Sequence, residues 1–268
     1  MGLILHHLNC GSTCPRGASL SGAFTDTVIN HCLLVETNEG LVLIDTGMGT
    51  ALAKDPVPKL GRMRTFLFGI EREGRQIYAA KDLIEGLGYR ASDVRHIIPT
   101  HLDFDHCGDL ADFPHAQVHV FQQEKMRALS PLNAVDKGRY LPHAFAHMPT
   151  WIEYDGTRGE PWFGFETVRE LPGVDSDILL IPLFGHTVGH TGIAVRSRDG
   201  WVLHAGDAYY QRDELFGQVG QWGTMMGNLI HQDPQRARSN QVRLKTLIDE
   251  HPEVEVFCSH DPRECNCD

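Results

Sequence analysis

The stretch "PTHLDFDHCGDL", residues 99–110, carries more information about fold and chemistry than any other part of this chain. Histidine nitrogen and carboxylate oxygen are the ligands that divalent transition metals bind in hydrolases, with one position kept for water. A polar loop with helix-capping aspartates would also account for such residues if they stood alone. The rest of the chain has to distinguish a metal site from such a loop. Within six positions, the stretch holds His101, Asp103, Asp105 and His106.

Three further candidate ligands, His186, Asp207 and His260, follow in chain order, and each comes at or just after the end of a predicted strand. The strands lie in the runs "DILLIPLFG", "GWVLHAGDA" and "EVEVFCSH", and His101 likewise follows the β-rich run "VRHIIP". In α/β proteins, sites are built from loops at strand ends, above a rigid sheet. We therefore predict two metal sites: one formed by His101, Asp103 and His186, a second formed by Asp105, His106 and His260, and Asp207 between them.

Local patterns predict the elements around these loops. The segment "HCLLVETNEGLVLIDTGMG", residues 31–49, is typical of two strands joined by a turn at residues 38–40, with the second strand ending at "DTG". The residues 198–200 predict a second hairpin, between "TGIAVRS" and "GWVLHAGDA". Helices are predicted over residues 76–88, 122–129 and 234–251, and a further strand over residues 116–121.

Composition limits the partners and the location of the protein. The chain has 268 residues and a net charge of −11, which disfavours nucleic acid and anionic membrane surfaces because both bind clustered lysine and arginine. No apolar run approaches the ~18 residues of a membrane span. The N-terminal "MGLILHHLNC" lacks the features of a signal peptide and is predicted to be a strand. We predict one domain over residues 1–268, with seven reduced cysteines, in a cytoplasmic protein that is a monomer or a homodimer.

In its ordered set of motifs the chain resembles the metallo-β-lactamase superfamily. "THLDFDH" is similar to the family's His-x-His-x-Asp-His, and "GHTVGHT" to its Gly-His-Thr-x-Gly-His. "GDA" at residues 206–208, the terminal "FCSH" and the hairpin that ends in "LVLIDTG" are further family traits. The resemblance spans nearly the whole chain. It implies an α/β fold, a four-layer αβ/βα sandwich with two metals at one edge between its sheets, and a loop-supporting role for His190.

Tyr210 makes the chain similar to one branch of this superfamily. It stands three residues after Asp207, and lactonases that cleave N-acyl-homoserine lactones carry a tyrosine at that offset, thought to hold the carbonyl or leaving oxygen of the substrate. Tyr209, one residue away, and aromatic packing at a strand end are the alternatives. The resemblance implies that a hydroxide bridging the metals attacks an ester or lactone carbonyl. Asp105 would then take the proton of the intermediate, and Tyr210 would donate a hydrogen bond.

Asp103 departs from the family pattern, because most relatives carry histidine at that position. Three aspartates around two divalent ions leave one net positive charge, whereas two aspartates leave two. The additional carboxylate is expected to weaken the metals as Lewis acids and to favour manganese or iron, although zinc also binds aspartate readily. Flavodiiron proteins carry glutamate there, but this chain shows no flavin-binding glycine loop. We predict two divalent ions, with zinc favoured.

The predicted function is a dinuclear metallohydrolase that acts on a small molecule with an ester or lactone group. A glyoxalase II-like thioesterase is the alternative among hydrolases, and a β-lactamase is disfavoured by the weakened electrophile. A diiron oxidoreductase and a metal-binding sensor without turnover are more distant alternatives.

Several residues outside the ligand set receive weaker predictions. Cys10 and Cys14 have a spacing that is a weak metal signal, and no role is assigned to them or to the C-terminal cysteines. Four histidines without a nameable partner are predicted to be core or surface residues: His31, His96, His119 and His204. One further set is predicted either to wall an apolar pocket or to pack on the core: Leu60, Met63, Phe66, Leu67, Phe68, Trp151, Phe216, Trp222 and Met225.

Overall fold

The computed structural model describes residues 2–16, 27–70, 78–108, 110–156 and 159–265. Within these ranges the chain forms two six-stranded sheets, the first from its N-terminal half and the second from its C-terminal half. The first sheet has the order β1 (Ile4–Thr13), β2 (Val28–Thr37), β3 (Gly40–Ile44), β4 (Val94–Ile98), β5 (Gln117–Phe121) and β6 (Thr150–Tyr154). The second has the order β12 (Val254–Phe257), β11 (Trp201–His204), β10 (Thr191–Arg196), β9 (Ile178–Pro182), β8 (Phe165–Glu170) and β7 (Glu160–Trp162).

The alternation of side chains along the strands explains why the sheets stack. In β3, Val42 packs in the cluster between the two sheets, whereas its neighbour Leu43 packs in a cluster on the outer face. In β9, Leu180 faces the other sheet and Ile181 faces outward. Because successive side chains of a strand point to opposite faces, these apolar runs require cover on both sides of each sheet.

Helices supply the outer cover. Ile84 packs in the outer cluster of the first sheet, and Leu244 and Leu247 pack in that of the second. The layers therefore run helix, sheet, sheet, helix, which is the predicted four-layer αβ/βα sandwich. The helices are α1 (Gly49–Lys54), α2 (Val57–Leu60), α3 (Arg62–Leu67), α4 (Ala80–Gly86), α5 (Gln122–Leu129), α6 (Ala134–Arg139), α7 (Arg212–Leu215), α8 (Gln221–Ile230) and α9 (Pro234–Glu250). Short 3-10 helices span Ala91–Asp93, Leu110–Asp112, Pro142–Phe145 and Pro262–Glu264.

The predicted candidate ligands follow strand ends, as expected from the sequence. His101 comes three residues after β4, Asp207 three residues after β11 and His260 three residues after β12. Gly206, just before Asp207, has a φ of +57°, and a Cβ there would lie 2.5 Å from Nε2 of His190. The tight approach of this loop to its neighbour therefore requires glycine.

Most of the predicted elements are confirmed. The first hairpin pairs Leu33 with Ile44, and the second pairs Arg196 with Trp201. The predicted helix at 234–251 is α9. Of the helix predicted over 76–88, residues 76–77 lie outside the described ranges, residues 78–79 are not helical, and the helix itself, α4, spans Ala80–Gly86. The sequence patterns missed β6, β7 and β8. β6 and β7 are edge strands with several half-exposed or exposed side chains, so neither carries a continuous apolar run.

The cysteines differ in part from the expectation of seven reduced thiols. Cys265 takes part in a disulfide, which corrects that expectation, and Cys267 lies outside the described residues. Five cysteines carry free thiols: Cys10, Cys14, Cys32, Cys107 and Cys258.

Within the described part of the chain, none of the helices combines the length and apolar character that a membrane span requires.

Candidate metal centre

The seven predicted ligands meet at one place in the structure. Their nitrogen and oxygen atoms form groups in which the atoms lie within 4.8 Å of one another. In the first group, Nε2 of His101 lies 3.4 Å from Oδ2 of Asp103, and Nε2 of His186 lies 3.3 Å from the same oxygen. In the second group, Oδ2 of Asp105 lies 3.8 Å from Nε2 of His106 and 3.8 Å from Nε2 of His260. The first group comprises His101, Asp103 and His186, and the second comprises Asp105, His106 and His260.

Asp207 lies between these two groups. Its Oδ1 is 3.4 Å from Nε2 of His106, and its Oδ2 is 3.1 Å from Nε2 of His260. The same Oδ2 is 3.5 Å from Nε2 of His186, in the other group. One carboxylate therefore faces both groups, which is the arrangement that a shared ligand needs.

The unpaired atoms of this cluster fit bound cations. Nε2 of His101, Nε2 of His106 and Oδ1 of Asp207 are buried and have no hydrogen-bond partner among the described residues. Buried polar atoms without a partner cost free energy, and metal ions would satisfy all three. Imidazole and carboxylate are also the donors that divalent transition ions take. The residues present therefore fit the two ions that the sequence predicts.

Asp45 is a buried carboxylate beside the site to which sequence reasoning gave no role. Its Oδ2 lies 2.8 Å from Nδ1 of His106, and its Oδ1 accepts a 2.6 Å hydrogen bond from the Thr100 N–H. This contact turns Nε2 of His106 toward the ligand groups, as outer partners of metal-binding histidines do. Burial alone would raise the pKa of Asp45, but the neighbouring His106 holds it below its ordinary value. The signal in the sequence was the position of this residue in "DTG", directly after β3.

His190 and Glu124 hold the loops of the site together. His190 donates from Nδ1 to the Leu183 carbonyl and accepts the Asp207 N–H at Nε2, so it supports the loop without joining either ligand group, as predicted. Glu124, on α5, accepts hydrogen bonds from the N–H groups of Leu102 and Gly189. One buried carboxylate thus ties the loop of the first motif to the loop of the second, a link that sequence reasoning missed.

Arg139, at the end of α6, forms an ion pair with Asp103 that sequence reasoning did not foresee. Nη1 donates to Oδ2 of Asp103 and lies 3.0 Å from Nε2 of His186, and Nη2 donates to the Ile230 carbonyl. The two paired side chains are only 10% and 12% exposed. Burial would raise the pKa of Asp103, but the charges of Arg139 and His101 hold it well below its usual range. Asp103 is therefore an ionised carboxylate at this position.

Tyr210 lines the cavity above the ligand groups, whereas Tyr209 does not. The Tyr210 hydroxyl lies 3.0 Å from Nδ1 of His186, and its ring stacks between those of His231 and His260. Tyr209 is fully buried in the outer cluster of the second sheet, and its hydroxyl donates to Glu264. The geometry therefore rules out Tyr209 as the tyrosine of the site.

Glu214 binds the backbone of Tyr210, and its raised pKa predicts that the stability of the fold depends on pH. Its Oε1 accepts the N–H groups of Tyr210 and Gln211, and removal from water raises its pKa to about 7. Because this value exceeds the ~4.3 of an unfolded glutamate, the carboxyl group destabilises the fold progressively as pH rises from about 4 to 7. Glu214→Gln keeps the acceptor oxygen but never ionises. We expect its melting temperature to exceed that of the parent at pH 8, by about 2–4 °C for each kcal/mol gained in the free energy of unfolding. At pH 4 the two melting temperatures should match.

Differential scanning calorimetry at both pH values measures this effect. The exposed Glu250, at the end of α9, offers the control Glu250→Gln, which should shift the melting temperature equally little at both pH values. A Glu214→Gln gain of the same size at pH 4 and pH 8 would contradict the prediction, because ionisation would then have no part in it.

The cavity above the ligand groups has a volume of about 410 Å³. The sequence predicts that nine residues either wall a pocket or pack on the core. Among those whose side chains the structure describes, only Phe68 lines this cavity. Trp151 packs on the outer cluster of the first sheet, Met63 is 70% exposed, and the Trp222 side chain lies outside the described residues. The apolar wall is formed instead by Val28, Met48, Phe68, Phe104, Val135, Leu229 and Ile230.

None of the four histidines predicted to be core or surface residues belongs to a ligand group among the described residues. His119 is fully buried, lies 2.9 Å from His96 and binds the Tyr154 hydroxyl at 2.7 Å. His204 is also buried and donates from Nε2 to the carbonyl of His31. Each of the four therefore has a hydrogen-bonding partner that the sequence could not name.

Comparison with known proteins agrees with this geometry. The model of the metallo-beta-lactamase superfamily matches residues 25–260. A probable metallo-hydrolase of Mycobacterium tuberculosis is 40% identical over 261 residues, which cover 96% of this chain and 80% of that protein. The chain therefore belongs to the metallo-β-lactamase superfamily of metal-dependent hydrolases, as its motifs predicted.

Lactonases are among the proteins that the chain resembles. An N-acyl homoserine lactonase of Bacillus thuringiensis is 29% identical over 236 residues, or 86% of this chain and 80% of that protein. The structure of an N-acyl homoserine lactone hydrolase with the product N-hexanoyl-L-homoserine at its catalytic metal centre superposes with a TM-score of 0.72. That match is 22% identical and covers 100% of this chain and 98% of the other. At this identity the structural match shows a shared fold.

Proposed function

We propose that the protein is a dinuclear metal-dependent hydrolase that cleaves a lactone or ester bond in a small molecule with an apolar chain. The observation that carries this proposal is the convergence of the seven candidate ligands, with Tyr210 beside them, at the base of a largely apolar cavity. The size of the cavity falls in the range of small-molecule sites. The 29% identity to an N-acyl homoserine lactonase supports a lactone as the bond that is cleaved.

The two ligand groups would each hold one divalent ion, and Asp207 would bind both. Zinc suits this mixture of imidazole and carboxylate, and manganese or iron are the alternatives because of Asp103. When bound, the ions supply a nucleophilic water at neutral pH and polarise the carbonyl of the substrate.

Asp105 is placed to move a proton. Its carboxylate is 20% exposed and lines the cavity, while its Oδ2 also faces His106 and His260. A carboxylate in this position can take the proton released as the carbonyl is attacked and return it to the leaving oxygen. Asp105 thus combines a ligand role with general acid–base chemistry.

Tyr210 is placed to donate a hydrogen bond to the substrate. Nε2 of His186 faces the Arg139 donor and the first ligand group, so the proton of this imidazole lies on Nδ1, 3.0 Å from the Tyr210 oxygen that would accept it. The phenol accepts that bond, and its own O–H can then be donated to a substrate oxygen in the cavity that Tyr210 lines. Nδ1 of His231 lies 3.2 Å from the same His186 nitrogen, so the imidazole has a second partner that can hold its orientation.

Tyr210→Phe separates these roles. We expect turnover of a lactone to fall about 10- to 100-fold. This fall is smaller than the one caused by removing a hydrogen-bond donor from an enclosed site, because the cavity is open to water. Metal content, measured by elemental analysis, should stay at the parent level, because His231 still holds His186. Tyr209→Phe is a matched control one residue away, since its hydroxyl binds Glu264, and it should keep the parent rate. Parent-like turnover by Tyr210→Phe would assign the ring to packing alone.

The substrate class is tested on metal-loaded protein with a panel of substrates. The panel comprises N-acyl homoserine lactones of increasing chain length, an aryl ester, a thioester, a phosphodiester and a chromogenic β-lactam. We expect the highest kcat/KM on a lactone, with a preference for longer chains that fill the apolar wall. A higher kcat/KM on the thioester would establish the thioesterase alternative. Two bound metals without turnover of any substrate would point to a binding or sensor protein.

A further inference from the structure

The ligand set of this chain contains one carboxylate more than the usual family pattern, at Asp103. Counting ligands alone, that carboxylate lowers the net charge of a loaded centre by one. The structure adds a cation that this count omits. The guanidinium of Arg139 donates to the same Asp103 oxygen that faces His101 and His186.

We propose that Arg139 is a positioning residue that compensates the charge of Asp103 and thereby sets the metal affinity of the His101–Asp103–His186 group. The pair replaces one neutral imidazole with an anion and a cation, so the centre keeps the net charge of a histidine-rich one. The proposal rests on the metal centre proposed above, but it concerns only how tightly that centre binds metal.

The surroundings of Arg139 hold its charge in place. Nη1 also contacts His186, and Nη2 binds the carbonyl of Ile230 at the C-terminal end of α8. The guanidinium is therefore anchored from a second helix and is not free to turn into solvent. Because both partners of the ion pair are nearly buried, the Coulomb interaction between them is screened less than at a surface.

A cation in this place should weaken the binding of a second cation. Removing it frees the Asp103 oxygen and removes a repulsive charge next to the ligand atoms. Arg64 provides a comparison, because it also lines the cavity and its charge also acts on Asp105 and Asp103. Its guanidinium stacks over the Phe104 ring, with the guanidinium carbon 5.1 Å from the ring centroid. A charge effect that depends on the Asp103 contact should be large for Arg139 and small for Arg64.

The test is a Zn²⁺ titration of metal-free protein in competition with a chromophoric chelator. We expect Arg139→Gln to bind one of its two Zn²⁺ ions at least about tenfold more tightly than the parent, and Arg139→Lys to stay within a few-fold of the parent. Arg64→Gln should change the affinity much less than Arg139→Gln. Equal or weaker binding by Arg139→Gln would overturn the proposal, as would an equal gain from Arg64→Gln. A parent protein that binds no Zn²⁺ would instead refute the metal centre itself.

A second measurement uses the metal-free proteins and needs no ion. Asp103→His leaves the Arg139 cation buried beside two imidazoles, so its denaturation midpoint should fall. The double variant Asp103→His/Arg139→Gln removes the unpaired charge and should regain most of that loss. Strictly additive effects of the two substitutions on the midpoint would show that the residues do not act as a pair, and would overturn the proposal.

Discussion

We expect Asp207→Ala to lose at least one of two bound metal ions and its hydrolytic rate to fall at least about 100-fold. This factor is the largest typical loss when an outer partner of a metal ligand is removed, and removing a ligand itself should cost at least as much. The reason is the position of this carboxylate. Oδ1 lies 3.4 Å from His106 and Oδ2 lies 3.1 Å from His260 and 3.5 Å from His186, so the side chain faces both ligand groups. Elemental analysis and kcat/KM on a lactone measure the two effects.

The control for this prediction is another aspartate of the second half of the chain. Asp249 lies on the exposed face of α9, where it pairs with Lys245 one turn away. Asp249→Ala should keep the parent metal content and rate, because exposed pairs of this kind contribute little to stability. Two retained ions and a parent rate in Asp207→Ala would show that "GDA" is not part of the centre.

The second large effect is expected from Asp45→Asn. Asparagine keeps the size of the side chain and tolerates the φ of +57° at this position. Its carbonyl oxygen can still accept the Thr100 N–H, but its amide nitrogen then faces Nδ1 of His106, which can no longer donate there. The imidazole would be driven to carry its proton on Nε2, the atom that faces Asp207. We therefore expect metal affinity to fall about 10- to 100-fold, while the fold is retained.

Competition titration with Zn²⁺ measures that loss, and circular dichroism checks the fold. Asp112→Asn is the matched control, since this half-buried carboxylate accepts from Thr50 and touches no candidate ligand in the described structure. It should bind Zn²⁺ with parent affinity. Parent affinity in Asp45→Asn would mean that the orientation of His106 is set by other contacts.

The sequence by itself determined most of the strands and the candidate ligand set. The run at residues 41–44, which contains Val42 and Leu43, is continuously apolar and follows a turn at residues 38–40, and this local pattern predicts a strand that is buried on both faces. His101, Asp207 and His260 each follow a strand by three residues, and ligands in loops at strand ends converge by the geometry of the sheet. The family motifs added the identity of the fold, because their order along the chain is specific.

Only the tertiary structure decided which neighbours act on these candidate ligands. Asp103 and Arg139 are 36 residues apart and lie on different elements, so a count of ligand charges could not include the guanidinium. The choice between Tyr209 and Tyr210 depends on which face of one turn meets the cavity, and adjacent residues carry no periodic signal for that. The apolar wall is likewise assembled from β2, from α6 and from the end of α8, because residues distant along the chain meet only when the layers pack. Local sequence patterns report periodicity and spacing, whereas charge compensation and cavity shape arise from contacts between separate segments.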